Sequence, residues 1–279
     1  MNRTGLTDLE KLNLKGNVKK VKTLRQVIDK DEFPILFKEK EFNGKGFLLK
    51  EVIYDRGEVY STTTYDYVNN KLNTEIETTQ TPNGYVETKK YNYKDNEIEV
   101  KVFEDDELIG IFTKKTDKND RIVYSKDNNY LFNSYCEKTY TYNQNNNLIS
   151  ITEDCYNEDG KNYSNNISYD YKDALLVKMK HSNTIKNDNV GFTEHYSYDN
   201  LNQCTEITVT VNNKLDSKET KAYKNGLLTE HHFFEKEKEV KTIKYEYDQR
   251  GNKTKELLTE IFSGATITTV FTFEITYYN

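Results

Sequence analysis

Apolar side chains recur at every second position along much of this chain. Ile98, Val100 and Val102 alternate with polar residues, and the spacing repeats in Leu175, Val177 and Met179 and in Ile207, Val209 and Val211. Period two places such side chains on one face of an extended strand. Polar, turn-forming stretches separate the strands, among them Asp55 to Gly57, Pro82 to Gly84, Lys94 to Glu97, Asn143 to Asn147, Glu158 to Gly160, Lys172 with Asp173, Asn212 with Asn213, and Lys224 to Gly226. The elements predicted are β-hairpins.

A second pattern punctuates the first. Strands end in aromatic-polar-aromatic triplets, most clearly at Tyr65 and Tyr67, Tyr140 and Tyr142, Tyr169 and Tyr171, Tyr196 and Tyr198, and Tyr245 and Tyr247. Taking the second aromatic or its equivalent as a marker gives Phe42, Tyr67, Tyr93, Thr116, Tyr142, Tyr171, Tyr198, Tyr223, Tyr247 and Phe273, spaced by 25, 26, 23, 26, 29, 27, 25, 24 and 26 residues. A period near 25 marks a tandem repeat. Thr116 heads the weakest unit, because its aromatics are missing.

The fold class is therefore all-β: an antiparallel meander of about ten tandem β-hairpin repeats. Open sheets of more than ~10 strands curl or split, so the expected form is a curved, shell-like or rolled sheet with aromatic rows on its inner, concave side. Five four-stranded blades or a two-sheet sandwich are the alternatives; blades repeat at about 40–50 residues, and no doubled period is visible. Before the repeats, Thr7 and Glu10 fit a capping box with Leu6 as its staple, and Gly16 offers a stop. Residues 1–16 thus read as an N-terminal segment with a short helix and 17–279 as a single repeat domain. Asn17 to Ile28 forms the first long strand and Asp29 to Pro34 a turn.

Composition sharpens this picture. Hydrophobic residues make up only 35% and charged residues 31%, yet the 23 Tyr and 13 Phe supply what a half-buried pleated surface needs. The net charge of −6, with acids and bases interspersed, leaves no basic face for nucleic acid. No apolar run approaches the ~18 residues of a membrane-spanning helix, and Met1 to Gly16 lacks a signal-peptide pattern. A cytoplasmic location follows, with the envelope as the alternative if a leader precedes this sequence. There are three cysteines. A hairpin register centred on Asn143 to Asn147 sets Cys136 opposite Cys155, read as two reduced thiols side by side, with a disulfide left open; Cys204 has no evident partner.

Tyr247-Asp248-Gln249-Arg250-Gly251-Asn252 resembles the Tyr-Asp-x-x-Gly-Asn core of the bacterial YD repeats of Rhs-type polymorphic toxins. Tyr198-Asp199-Asn200-Leu201-Asn202, Tyr65-Asp66 and Tyr169-Asp170 are degenerate versions. The resemblance extends over roughly Ile35 to Asn279. It implies a hairpin-spiral architecture and an origin near toxin loci, although this chain is short for a toxin-enclosing shell and carries no toxin-like domain after its last repeat.

No residue set specifies catalysis, a metal or a cofactor. His181, His195, His231 and His232 read as surface residues, and the adjacent pair would point to opposite faces of a strand. Glu104, Asp105, Asp106 and Glu107 lack the spacing of a calcium loop and read as a solvated turn or as an acidic contact. Glu235, Glu237 and Glu239 alternate with Lys236 and Lys238, which suits edge protection. The expected function is a non-enzymatic protein-binding scaffold, an immunity protein that neutralises a cognate, basic bacterial toxin; the alternative is an envelope or surface repeat protein that binds glycan or serves structurally. The partner-contact candidates are Asp105, Asp106, Tyr124, Tyr130, Phe233 and Phe234.

Overall fold

The computed structural model describes residues 6–80, 84–185 and 188–278. The only helix among them, α1 (Asp8–Lys11), opens with the expected capping box between Thr7 and Glu10. Twenty strands follow in one sheet. They are β1 (Val18–Val27), β2 (Ile35–Phe42), β3 (Leu48–Asp55), β4 (Glu58–Val68), β5 (Lys71–Thr79), β6 (Val86–Lys94), β7 (Glu97–Glu104), β8 (Glu107–Thr116), β9 (Ile122–Asn129) and β10 (Ser134–Tyr142). The second ten are β11 (Leu148–Asn157), β12 (Gly160–Lys172), β13 (Leu175–Ile185), β14 (Asp188–Tyr198), β15 (Cys204–Val211), β16 (Lys214–Lys224), β17 (Leu227–Glu235), β18 (Lys238–Tyr247), β19 (Lys253–Phe262) and β20 (Ala265–Tyr277). The turn expected at Pro82 to Gly84 falls largely outside the described residues.

Contacts divide the described residues into two compact units, one within 88–218 and the other formed by those of 6–87 together with 219–278. In the first, β7 to β15 form an antiparallel meander, in which Tyr140, Ile151, Ile167, His181, Phe192 and Val211 pair successively from strand to strand. Of the Tyr-x-Tyr pairs expected to line up in rows, only Tyr140 belongs to this one; Tyr169 pairs with Met179 and Tyr196 with Ile207. In the second, the core is Leu9, Val18, Val21, Phe42 and Leu48, with Tyr65, Phe273, Ile275 and Tyr277 against it.

Two turn designs join the strands. At eight hairpins both central residues have positive φ, as in Asn69–Asn70, Asp105–Asp106, Asp173–Ala174 and Asn225–Gly226; that twist matches the flanking strands. Five others begin with Asn43, Asp117, Asn143, Asp199 and Asp248. In each, the Asx backbone N–H donates to the carbonyl four residues on, and its side-chain Oδ1 accepts the N–H groups two and four residues on. The fourth residue, Gly46, Asp120, Asn146, Asn202 or Gly251, has positive φ. The Tyr-Asp-x-x-Gly-Asn stretch is thus one instance of a turn that the chain also builds without glycine.

The aromatic markers have a local cause. Register shifts fall immediately before Phe42, Tyr54, Tyr67, Phe103, Tyr142, Tyr156, Tyr171, Tyr198, Phe234 and Tyr247. A bulge bends the strand and re-aims a side chain, and here a large ring occupies the bulged position. Three of these phenols bridge neighbouring strands: Tyr142 donates to the Ile122 carbonyl at 2.8 Å, Tyr198 to Leu176 at 2.7 Å and Tyr247 to Leu228 at 2.7 Å.

Of the curved, shell-like or rolled sheet that the repeat predicts, an open form is corrected by the pairing of the first and last strands. β1 pairs with β2 on one side and with β20 on the other, from Val18↔Tyr277 to Val27↔Thr269. Within the second unit β1 thus stands between β2 and β20, and neither β1 nor β20 is left without a partner along this seam. An unpaired first and last strand would present rows of unsatisfied N–H and C=O groups, and mutual pairing removes both.

The N-terminal segment is fastened at two points. Asp8 Oδ2 accepts the Leu48 N–H and the Tyr67 hydroxyl, both at 2.8 Å. At the other end Asn252, wholly buried, binds the backbone of Lys15 and the Tyr277 hydroxyl. Burial alone would raise the Asp248 pKa, but hydrogen bonds from the Asn252 backbone and from Tyr277 hold it below its ordinary value.

Candidate functional site

Hairpin turns two strands apart emerge at the same end of a meander. In the 88–218 unit, the β7–β8, β9–β10 and β11–β12 turns are therefore successive neighbours. Their chemistry differs sharply. The first carries Glu104, Asp105, Asp106 and Glu107, and the third carries Glu158 and Asp159. Between them stands Tyr130-Leu131-Phe132-Asn133, in which Tyr130 is 50% exposed, Leu131 60% and Phe132 75%. Single exposed apolar residues are ordinary, but a contiguous apolar group is informative.

This apolar turn is held in shape. The Tyr130 N–H donates to the Ile109 carbonyl at 2.9 Å, and the Phe132 N–H donates to Asn129 Oδ1 at 3.2 Å. Asn133, in the left-handed region at φ 45°, donates through Nδ2 to Glu158 Oε1 at 2.6 Å, linking the apolar turn to the acidic one beside it. Three large side chains are thus presented by a fixed backbone between carboxylates. Such an arrangement resembles a protein-binding hot spot, an apolar anchor within a charged rim.

The sequence candidates fall in different places. Tyr130 belongs to this turn. Asp105 and Asp106 occupy the two positive-φ positions of the β7–β8 turn, at 46° and 70°, conformations that Asp tolerates better than most residues. Tyr124 lies within β9, where its hydroxyl donates to Glu137 Oε1 at 3.0 Å. Phe233 and Phe234 belong to β17 in the other unit; Phe233 packs against His231 with centroids 4.0 Å apart, and Phe234 is a bulge residue beside His232. The six therefore fall on two turns and two strands, in two units of the chain, and of them Tyr130, Asp105 and Asp106 belong to the site at this end of the 88–218 unit. Leu131, Phe132, Glu158 and Asp159 complete it, and the signal available for the first two was an apolar pair where other turns carry Asn, Asp or Gly.

The histidines are engaged structurally. His181 stacks on Phe192 at 4.8 Å. His231 Nε2 lies 2.9 Å from Glu219, and burial lowers its pKa despite that carboxylate. His232 Nδ1 lies 2.5 Å from Glu239, which raises its pKa. Cys136 and Cys155 pair directly across β10 and β11 as the register requires, and they form a disulfide where reduced thiols were expected. Side chains placed directly opposite are near enough to bond once oxidised. Glu153 is close to both sulfurs, but its carboxylate is taken by Lys138 at 2.9 Å and Asn165 at 2.7 Å.

The fold and this end of the sheet define an antiparallel β-hairpin repeat protein with an acid-flanked apolar turn. No family model matches the chain, and no curated protein does. Among solved structures, a porin-like protein from Bacteroides uniformis is similar over 93% of this chain and 96% of its own, at 16% identity and a TM-score of 0.42. A porin-like protein from Bacteroides vulgatus aligns over 76% of this chain and all of its own, at 13% identity and a TM-score of 0.32. In the crystal structure of TcdB2-TccC3-Cdc42 the alignment covers 92% of this chain but only 19% of that one, at 10% identity and a TM-score of 0.23. Likenesses this distant carry no functional argument. No helix among the described residues is long and apolar enough to cross a membrane.

Proposed function

We propose that this chain is a non-catalytic protein-binding scaffold that captures a basic partner with its acid-flanked apolar turn, and that the partner is a bacterial toxin which it neutralises. The observation that carries the reading is the exposed, backbone-fixed Tyr130-Leu131-Phe132 group between the carboxylates of two neighbouring turns. Burying those three side chains on a partner supplies about 1.5–3 kcal/mol each, and the acids accelerate encounter with a basic surface.

The strand faces favour a sheet surrounded by water. On one face of β1 to β3, Lys20 and Lys22 pair with Glu39, and Lys20 also with Glu41; on the opposite face Lys38 and Lys40 pair with Glu51. A barrel in a membrane needs one face to carry an apolar band, and here both faces carry charge. A second reading, an envelope protein that binds glycan, has one observation in its favour: the Cys136–Cys155 disulfide suits an oxidising compartment.

The test is capture of partners by the tagged protein from its own bacterium, beside the Leu131→Asp and Phe132→Ala variants, followed by expression of any stoichiometric partner alone in a host. Under the proposal a basic, growth-arresting protein is retained by the wild type, lost with either variant and released by salt, and co-expression of the wild type restores growth. Retention of polysaccharide with no protein would overturn it.

A further inference from the structure

A second site lies in the other unit. Leu12, Asn13 and Leu14 roof a pocket of about 520 Å³ over the face of the sheet. Its walls are Val21, Thr23, Leu228, Tyr245, Tyr247, Phe273 and Ile275, together with Lys38, Lys40 and Lys253. The volume falls in the range of small-molecule sites, and the composition matches one, apolar with a few converging polar groups.

Three ammonium groups line the pocket and no carboxylate does. Lys38 and Lys40 share Glu51, at 3.3 and 2.9 Å, and Lys253 pairs with Glu256 at 2.6 Å. Three cations therefore face two acids, which leaves one positive charge in excess. Lys253 also sits 5.3 Å from the centre of the Tyr245 ring and 4.9 Å from that of Phe273, so its charge is directed along the apolar wall. The Tyr245 hydroxyl has no hydrogen-bond partner among the described residues. Burial pushes its pKa up to about 12, so at neutral pH it is a proton donor. Tyr247 differs, because its hydroxyl is already committed to the Leu228 carbonyl.

We propose that this pocket binds a monoanionic amphiphile, a carboxylate on an apolar chain, with the head between Lys38 and Lys40, whose two charges share the single carboxylate of Glu51, and the chain against Leu14, Val21, Phe273 and Ile275. The net single positive charge selects one negative charge, and the apolar lining excludes a small hydrophilic anion as the preferred ligand. The site is independent of the partner-binding turn and belongs to another unit of the chain.

Calorimetric titration of the full chain with decanoate, below its micellar range, tests this against decyltrimethylammonium, which has the same tail and the opposite charge. Saturable one-to-one binding of decanoate is expected, with the cation at least tenfold weaker. Replacing a charged partner of the head should weaken decanoate about tenfold in Lys38→Met or Lys40→Met, while Lys253→Met, whose charge Glu256 already offsets, should change it less than about threefold, with circular dichroism confirming that each variant is folded. Absence of saturable decanoate binding, equal binding of the cation, or unchanged affinity in folded Lys38→Met and Lys40→Met would each overturn the proposal. If neither of these variants folds, the head-group comparison on the wild type decides the matter.

Discussion

Asn252 satisfies both backbone polar groups of Lys15. The Lys15 N–H donates to Asn252 Oδ1 at 2.5 Å, and Asn252 Nδ2 donates to the Lys15 carbonyl at 3.0 Å, across 237 positions of sequence. One side chain thereby imitates a pair of sheet hydrogen bonds. The last Asn of the one complete Tyr-Asp-x-x-Gly-Asn stretch is, in this chain, the clasp of the N-terminal segment.

Asn252→Ala would leave both Lys15 groups without a protein partner, at a cost of about 2–4 kcal/mol. The urea midpoint should fall, and trypsin should cut after Lys11 and Lys15 before the strands unfold. A variant as stable and as protease-resistant as the wild type would show the clasp to be redundant.

Ala174 sits at φ 65° in the β13 hairpin, where most of its counterparts are Asn or Gly. Ala174→Gly should raise stability by about 0.5–1 kcal/mol, because the left-handed conformation penalises a Cβ. Ala222→Gly, inside β16, is the control and should lower stability by about the same amount. Paired thermal melts read both signs.

Arg121 beside Asp117, with backbone N–H groups from Asn119 and Arg121, lowers that carboxyl to about 2 from an ordinary value of 3.8. A depressed folded value means that the stabilisation is complete above pH 3.8 and disappears as pH falls through about 2. Asp117→Asn keeps an oxygen acceptor and removes the titration. Its unfolding free energy should therefore fall less than that of the wild type between pH 5 and 2; an identical pH profile would assign the acid sensitivity to other groups.

Cys136 and Cys155 are separated by 19 residues, so the bridge restricts only a short loop of the unfolded chain. Reduction should cost about 3 kcal/mol, read as a lower urea midpoint with dithiothreitol. Cys136→Ser should show no further response to the reductant.

What was legible in the chain was whatever depends on neighbours in sequence. The Thr7–Glu10 capping box, the hairpin at Asn143 to Asn147 and the Cys136–Cys155 register all rest on local patterns. That the turns at Asn43, Asp117 and Asn143 share one Asx design with the turn at Asp248 was not legible, because their fourth residues are Gly, Asp and Asn, three ways of meeting one backbone requirement. The β1–β20 seam was not legible. Val18, Val21, Leu24 and Val27 do not alternate, since the register of β1 shifts between Val18 and Lys20 towards β20 and between Thr23 and Leu24 towards β2. Alternation does not separate Leu131 and Phe132 from strand residues; only their being an apolar pair where other turns carry Asn, Asp or Gly sets them apart, and their exposure completes the distinction.

The β1–β20 seam also bears on where a chain of this kind must start. Val18 lies opposite Tyr277, so a short linker could join the two ends, and new ends could open at another hairpin, such as Asn69–Asn70, with every strand keeping its two neighbours. Such a circular permutant should fold to the same pairing. Within the unit that holds β1 and β20, the pairing along the seam would be the same whichever of its hairpins is cut.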